Sequence, residues 1–283
     1  TRQFIDTMPV LFQIEKILPY ALGPVLLLFS SLGFMLAVIN IIGKPKIELV
    51  IVIISFLSLF IANAFLFATW TRFVAPTFPF FAIFAAFSLQ TFAKKTRRSI
   101  YYFLASFLLI GTLLWTMAFF SIYTNPDIRI TASRWLESYA KEGSSFMFEG
   151  GNTVDLPLRG NFQRTSLDFY SLENNLLTRR EIIDAMQSSD YFLVQSRRVF
   201  YNHQRLPSLY PKTTAFYNAL FDESLGFTQI KEFHQYPMLK VGNFMLEFPD
   251  EKAEETWSVF DHPVIRVFMK TKQLSKENYA KLL

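Results

Sequence analysis

The chain has 283 residues, 51% hydrophobic and 18% charged, with 33 phenylalanines and a formal net charge of +5. Soluble domains carry nearer a quarter charged residues, so this composition argues against a wholly water-soluble chain. Residues 17–122 hold only eight charged side chains and a net +6, whereas residues 123–283 sum to −1; the basic excess lies between apolar segments and does not point to nucleic acid.

In chain order, residues 1–20 form a juxtamembrane segment, expected on the outer side. Phe4, Ile5, Met8, Phe12, Ile14 and Ile17 alternate there with Asp6, Gln13, Glu15 and Lys16. That pattern suits a segment lying at the membrane interface and equally a half-buried packing helix. No basic stretch with a short apolar core and cleavage site opens the sequence, and the chain reads as the C-terminal part of a longer polytopic protein. Residues 21–123 form the transmembrane region. Crossing the hydrocarbon layer takes about 20 apolar residues in a helix, and four stretches have that length: 22–42, 49–68, 73–92 and 100–122. The first is entered by Pro19 and Gly23-Pro24. The third carries Pro76 and Pro79 in its first turns, where a missing backbone donor matters least.

The loops set the orientation. Gly43-Lys44-Pro45-Lys46 and Lys94-Lys95-Thr96-Arg97-Arg98 carry six basic residues and no acid, while the turn at 69–72 carries only Arg72. The excess of Lys and Arg in cytoplasmic loops then places both basic loops inside, and residues 1–20, the Arg72 turn and everything after Tyr123 outside.

Residues 124–283 are expected to form an extracytoplasmic α/β domain, long enough to bury its own core. The periodicity predicts helices over 128–140 (Ile130, Trp135 and Leu136 on one side), from a Thr178–Glu181 capping box to about 187, over 209–221, and after Ser275. Strands are predicted over 145–149, 191–194, 227–233 and 264–269. The fold class is thus a polytopic α-helical membrane protein with four spans, followed by an outer α/β domain.

Few motifs suggest chemistry. Cysteine is absent, and His203, His234 and His262 are too scattered for a metal cluster, so no metal site is expected. Gly150-Gly151-Asn152 reads as a turn without a phosphate-loop spacing, and Glu254-Glu255 as a solvated charge run. Asp261-His262-Pro263 fits a turn or an acid–base pair. Arg72 stands apart as the only charge between two hydrophobic spans, in Trp70-Thr71-Arg72-Phe73-Val74-Ala75-Pro76-Thr77-Phe78-Pro79. It is either an interfacial anchor beside Trp70 or a bidentate ligand for a lipid-linked phosphate.

The Arg-aromatic-x-x-Pro-x-x-Pro turn at Arg72–Pro79 resembles the late helices of GT-C type membrane glycosyltransferases. Within them it looks most like the family-39, dolichyl-phosphate-mannose protein mannosyltransferase-like proteins of prokaryotes. Asn125-Pro126 through Ala132-Ser133-Arg134-Trp135-Leu136 is similar to the segment after their last span. Phe260-Asp261-His262-Pro263 with the strand after it resembles their closing strand. The resemblance implies inverting transfer of a sugar from a polyprenyl-phosphate carrier to an acceptor outside a bacterial or archaeal plasma membrane. It also implies a catalytic Asp or Glu in a first outer loop that these residues do not contain, and it leaves Arg72 as the one position able to contact the lipid phosphate. The other class open to the sequence is a non-enzymatic membrane scaffold whose outer α/β domain binds the cell envelope. Transport is disfavoured, because no charge lies within a span.

Overall fold

The computed structural model describes residues 2–43, 45–150 and 155–283, and leaves the side chain of Leu282 undescribed. Lys44 of the first basic loop and Gly151-Asn152 of the glycine turn therefore lie outside the described residues. The chain divides into two compact units. The first comprises Gln3–Ile122 and Pro237–Trp257; the second comprises Arg2, Tyr123–Tyr236 and Ser258–Leu283.

The first unit is built on helices: α1 (Leu11–Lys16), α2 (Leu18–Gly43), α3 (Ile47–Ala64), the single turn α4 (Thr71–Val74), α5 (Phe78–Ala93) and α6 (Arg98–Thr124). Four segments, Leu18–Gly43, Ile47–Ala64, Thr71–Ala93 and Arg98–Thr124, are long and apolar enough to cross a membrane. Large apolar side chains point outward along them, including Leu28, Ile39, Ile51, Ile54, Phe103 and Leu109. Each would cost about 1.5–3 kcal/mol to leave in water, so this surface is suited to lipid.

α2 and α5 form the closest helix pair. Ser30, Gly33 and Ala37 of α2 are buried, as are Ala85 and Ser88 of α5. A Cβ at Gly33 would lie 1.8 Å from the Phe84 carbonyl oxygen, which is why this position has no side chain. Small residues allow such an approach, and dispersion replaces the hydrophobic effect where both alternatives are apolar. Gly23, at φ 73° and ψ 161°, breaks the first turns of α2 ahead of Pro24. Because proline has no N–H, the carbonyl four residues back loses its helical donor. The Trp115 indole of α6 donates to that carbonyl, on Tyr20, at 3.0 Å.

One expectation changes here, and one left open is decided. The second apolar run ends as a helix at Ala64, not at residue 68. The Phe65 N–H closes the helix on Ile61, and Phe65, Leu66 and Phe67 continue the apolar run as an exposed turn. Composition does not register where helical geometry stops. The N-terminal segment is in part a packing element: Phe4, Phe12, Ile17 and Leu18 are buried in the helical cluster, while Met8, Leu11 and Ile14 stay exposed. The first unit also contains a hairpin that the sequence did not reveal, β5 (Met238–Val241) against β6 (Phe244–Glu247), turning at Gly242 with φ 59°. The Ser121 hydroxyl of α6 accepts from the Met238 N–H at 3.0 Å, and Phe248 packs edge-on against Trp115.

The second unit runs α7 (Ile128–Tyr139), β1 (Ser145–Glu149), β2 (Gln163–Leu167), α8 (Leu176–Ser188), β3 (Tyr191–Val194), α9 (Phe200–Gln204), α10 (Pro211–Phe221) and β4 (Phe227–Phe233). After the hairpin and the single turn α11 (Glu255–Ser258), it closes with β7 (Ile265–Lys270) and α12 (Lys276–Leu282). The sheet order is β2-β1-β3-β7-β4. β1 is parallel to β2 and to β3, whereas β7 is antiparallel to both β3 and β4. Successive strand residues point to opposite faces. Met147, Phe192, Val194 and Phe268 share a core with residues of α8, α10 and α12, and Phe146, Phe148, Tyr191, Leu193 and Val267 share one with α7. The expected α/β region is thus a mixed sheet covered on both faces.

Details of that region differ from the sequence reading. α8 starts at Leu176, two residues before the predicted capping box. Its cap is Asn175, whose side-chain oxygen accepts from the N–H groups of Leu177 and Thr178. On α7 the inward face is Ile128, Ala132 and Leu136, four residues apart, and Ile130 is exposed. β2 is new. Its residues Gln163, Arg164, Thr165 and Ser166 are exposed on an edge strand, so no apolar alternation announced it.

Candidate functional site

Arg72 lies in α4, which continues through a 3-10 turn (Ala75–Thr77) into α5. Pro76 and Pro79 occupy early positions of these turns, where the missing donor matters little. The Arg72 side chain is exposed, and its guanidinium carbon lies 5.7 Å from the Trp70 ring centre and 5.3 Å from that of Phe73. Among the described residues no carboxylate is paired with it. Both rings attract the cation through their faces, and a guanidinium can still offer paired N–H groups to an anion.

The turn is fixed by a buried acid. Glu254, 1% exposed, accepts on one oxygen from Gln3 Nε2 (2.7 Å) and the Thr256 N–H (2.9 Å). On the other it accepts from the Thr71 N–H (3.2 Å), the Thr71 hydroxyl (2.9 Å) and the Thr256 hydroxyl. The Gln3 amide oxygen in turn accepts from the Glu255 N–H at 2.9 Å. The reading of Glu254-Glu255 as a solvated charge run is therefore incorrect: both residues are buried, and Glu254 ties the start of α4 to the N-terminal segment. Nothing in the local sequence signals this, because three of the five donors come from residues more than 180 positions away.

Next to this turn is a pocket of about 300 Å³ lined by the segment from Phe4 to Gln13 and by residues 64–67 and Thr69. Phe4 meets Trp70 edge-on with ring centres 4.9 Å apart. Elsewhere in the N-terminal segment, Asp6 (φ 54°) and Val10 (φ 67°) have left-handed backbone. For β-branched Val10 this costs on the order of 1–3 kcal/mol, which the surrounding packing sustains. A second, wholly apolar groove of about 460 Å³ runs between Leu28, Phe29 and Leu32 of α2, Phe92 of α5, and Phe103, Leu104 and Phe107 of α6. It lies towards the Lys94–Arg98 end of α5, opposite the end that begins at Arg72.

In the second unit, polar side chains gather beyond the carboxyl ends of β1 and β3, where open α/β sheets commonly take ligands. Glu149, Gln195, Ser196 and Arg197 are all buried there. Burial pushes the Glu149 carboxyl up to about 8, against the lowering effect of the Tyr217 hydroxyl bonded to it and of the Arg266 charge. Ionised in the unfolded chain above 4.5 but protonated in the fold up to about 8, this group lowers stability as pH rises through that window. Replacing it by glutamine, which keeps the acceptor for Tyr217, is expected to flatten the decline. The advantage of Glu149→Gln over wild type, read by thermal unfolding, should grow by on the order of 3 kcal/mol between pH 5 and pH 8. Equal pH profiles would show that Glu149 ionises normally.

His203 acts in the opposite sense. Burial, and then the charge of Arg2 bonded to its Nε2, lower it from 6.5 to about 4, so it destabilises the fold as pH falls below 6.5. At Asp261-His262 the structure forms a local turn in which the N–H groups of both residues donate to the Ser258 carbonyl. The Asp261 carboxylate accepts from His262 Nδ1 at 3.1 Å and the Tyr123 hydroxyl at 2.8 Å, and the hydrogen bond from His262 holds it below the usual carboxylate range. The imidazole is 2% exposed, an arrangement suited to fixing the turn before β7. Among the described residues no group of three or more His, Asp or Glu side chains is arranged to hold a metal.

No family model, curated protein or solved structure matches the chain.

Proposed function

We propose that the chain is the C-terminal part of an integral-membrane glycosyltransferase of the GT-C type, which transfers a sugar from a polyprenyl-phosphate donor to an acceptor on the outer face of a bacterial or archaeal plasma membrane. The observation that carries the reading is Arg72: an exposed guanidinium, within 6 Å of the Trp70 and Phe73 ring centres, in a short turn between two membrane-length helices. Breaking the donor's sugar–phosphate bond leaves a phosphate whose growing charge must be stabilised, and the acceptor hydroxyl must lose its proton to a base. Arg72 meets the first need at headgroup depth. The second belongs to an acidic residue upstream of these residues. In this reading the Lys94–Arg98 loop is cytoplasmic, the Arg72 turn is outside, and the sheet unit works on the acceptor side.

In the full-length protein Arg72→Ala is expected to lower sugar transfer from a polyprenyl-phosphate donor by roughly 100-fold or more, the scale of losing one charge-stabilising donor, with the thermal midpoint little changed. Arg72→Lys should recover part of the rate, because it keeps the charge and loses the bidentate geometry. Full activity in Arg72→Ala would remove the assignment and favour the envelope-binding scaffold.

A further inference from the structure

The apolar groove between α2, α5 and α6 ends beside a cluster of positive charge. Lys95 and Thr96 donate their backbone N–H groups to the Phe92 carbonyl, each at 2.9 Å, and the Thr96 hydroxyl donates to it at 2.8 Å. The 94–98 loop is thereby folded back onto Phe92, which lines the groove together with Phe103, in the second turn of α6. Lys94, Lys95, Arg97 and Arg98 are all exposed there, and among the described residues none is paired with a carboxylate. Glu48 is the only acid between residues 17 and 122. Arg98 is held by Tyr102, whose hydroxyl accepts from its Nε at 3.1 Å and its Nη2 at 3.0 Å. Tyrosine rings favour the boundary between headgroups and hydrocarbon, so Tyr101-Tyr102 sets the loop at headgroup depth and the groove just inside it.

We propose that the groove and the loop form a binding site for one anionic glycerophospholipid, with an acyl chain in the groove and the phosphate on the basic loop. Basic residues beside clefts between membrane helices suit anionic headgroups. The groove is wholly apolar, and its volume of about 460 Å³ falls within the range of about 300–1,000 Å³ for ligand pockets. It is also open: Phe29 is buried at its floor, while Leu28, Phe103 and Phe107 stand exposed along it. Such large side chains suit a flexible chain rather than another helix. Where helices approach closely in this unit, the approach is made through a small residue, Gly33. A phosphate supplies the negative charge that the four cations lack, whereas a phosphatidylcholine headgroup brings its own ammonium against them. The site lies at the opposite end of α5 from Arg72 and does not depend on sugar transfer.

The test uses the full-length protein in phosphatidylcholine nanodiscs doped with phosphatidylglycerol or phosphatidylcholine, each carrying a photoactivatable diazirine on one acyl chain, with cross-links mapped by mass spectrometry. Phosphatidylglycerol is expected to label residues 28–32 and 103–107 roughly tenfold or more above the phosphatidylcholine probe, since each basic residue at an anionic surface contributes about fivefold. In Lys94→Gln/Lys95→Gln/Arg97→Gln this preference should vanish with the thermal midpoint little changed, because all three side chains are exposed; Lys95→Gln/Arg97→Gln serves if the triple variant does not fold. Leu28→Trp, which fills the groove from its rim, should lower labelling by both lipids. Equal labelling by the two lipids in wild type, or a preference that survives the charge substitutions, overturns the site. Absence of label in the groove also overturns it and shows that a protein segment covers the groove. Unlabelled phosphatidylglycerol should displace the probe. Displacement by glycerol 3-phosphate would assign the loop to a soluble phosphate, and displacement by polyprenyl phosphate but not phosphatidylglycerol would assign it to the sugar carrier; either result overturns the phospholipid site.

Discussion

Glu254→Ala is expected to destabilise the helical unit by about 3–5 kcal/mol, because it strips one acceptor from five donors at once. Two of these are backbone N–H groups, on Thr71 and Thr256, which cannot turn away to find another partner. The Gln3 amide is the third point of the clamp, and its release frees the N-terminal segment that bears Phe4. Glu254→Gln should cost nearly as much: its amide keeps one accepting oxygen and turns N–H groups towards donors. Thermal unfolding in detergent measures the effect, and an unchanged midpoint in both variants would show that the clamp carries no stability. A functional consequence follows from the same bonds. Glu254 fixes the Thr71 N–H at the start of α4; under the proposed sugar-transfer function, transfer should therefore fall with Glu254→Ala at temperatures where the fold survives, whereas Arg72→Ala should lose it with the fold intact.

Gly33→Ala should cost roughly 3 kcal/mol, the upper end for an added methyl group, since the Cβ would stand 1.8 Å from the Phe84 carbonyl oxygen. A flexible side chain could yield; a carbonyl inside α5 moves only if the whole helix moves. α2 and α5 would have to separate, exposing small residues now buried on the two helices, Ser30 and Ala37 on α2 and Ala85 and Ser88 on α5. Gly33→Leu is expected to abolish the pairing. Gly43→Ala is the matched control: a Cβ there meets nothing within 4 Å, and alanine favours the helix. Equal unfolding midpoints for Gly33→Ala and Gly43→Ala would contradict the close approach.

The sequence by itself determined the four apolar helices and most of the sheet strands. Helix length against hydrophobic run, and the short apolar or alternating stretches at 145–149, 191–194, 227–233 and 264–269, are local properties that survive in one dimension. Tertiary structure decided the rest. Polar β2 is a strand only because β1 supplies its backbone partners, and α3 ends at Ala64 within an apolar run that composition reads as continuous. Residues 237–257 belong with the helices although their neighbours in sequence build the sheet unit. The site divides in the same way. Arg72 is visible as a lone charge between greasy segments. Glu254 looks like an ordinary surface residue, and only its burial gives it meaning. Whether a polar side chain is solvated or enclosed depends on which distant groups the fold brings to it. For Glu254 those groups are 183 and 251 positions away, beyond the reach of any local pattern.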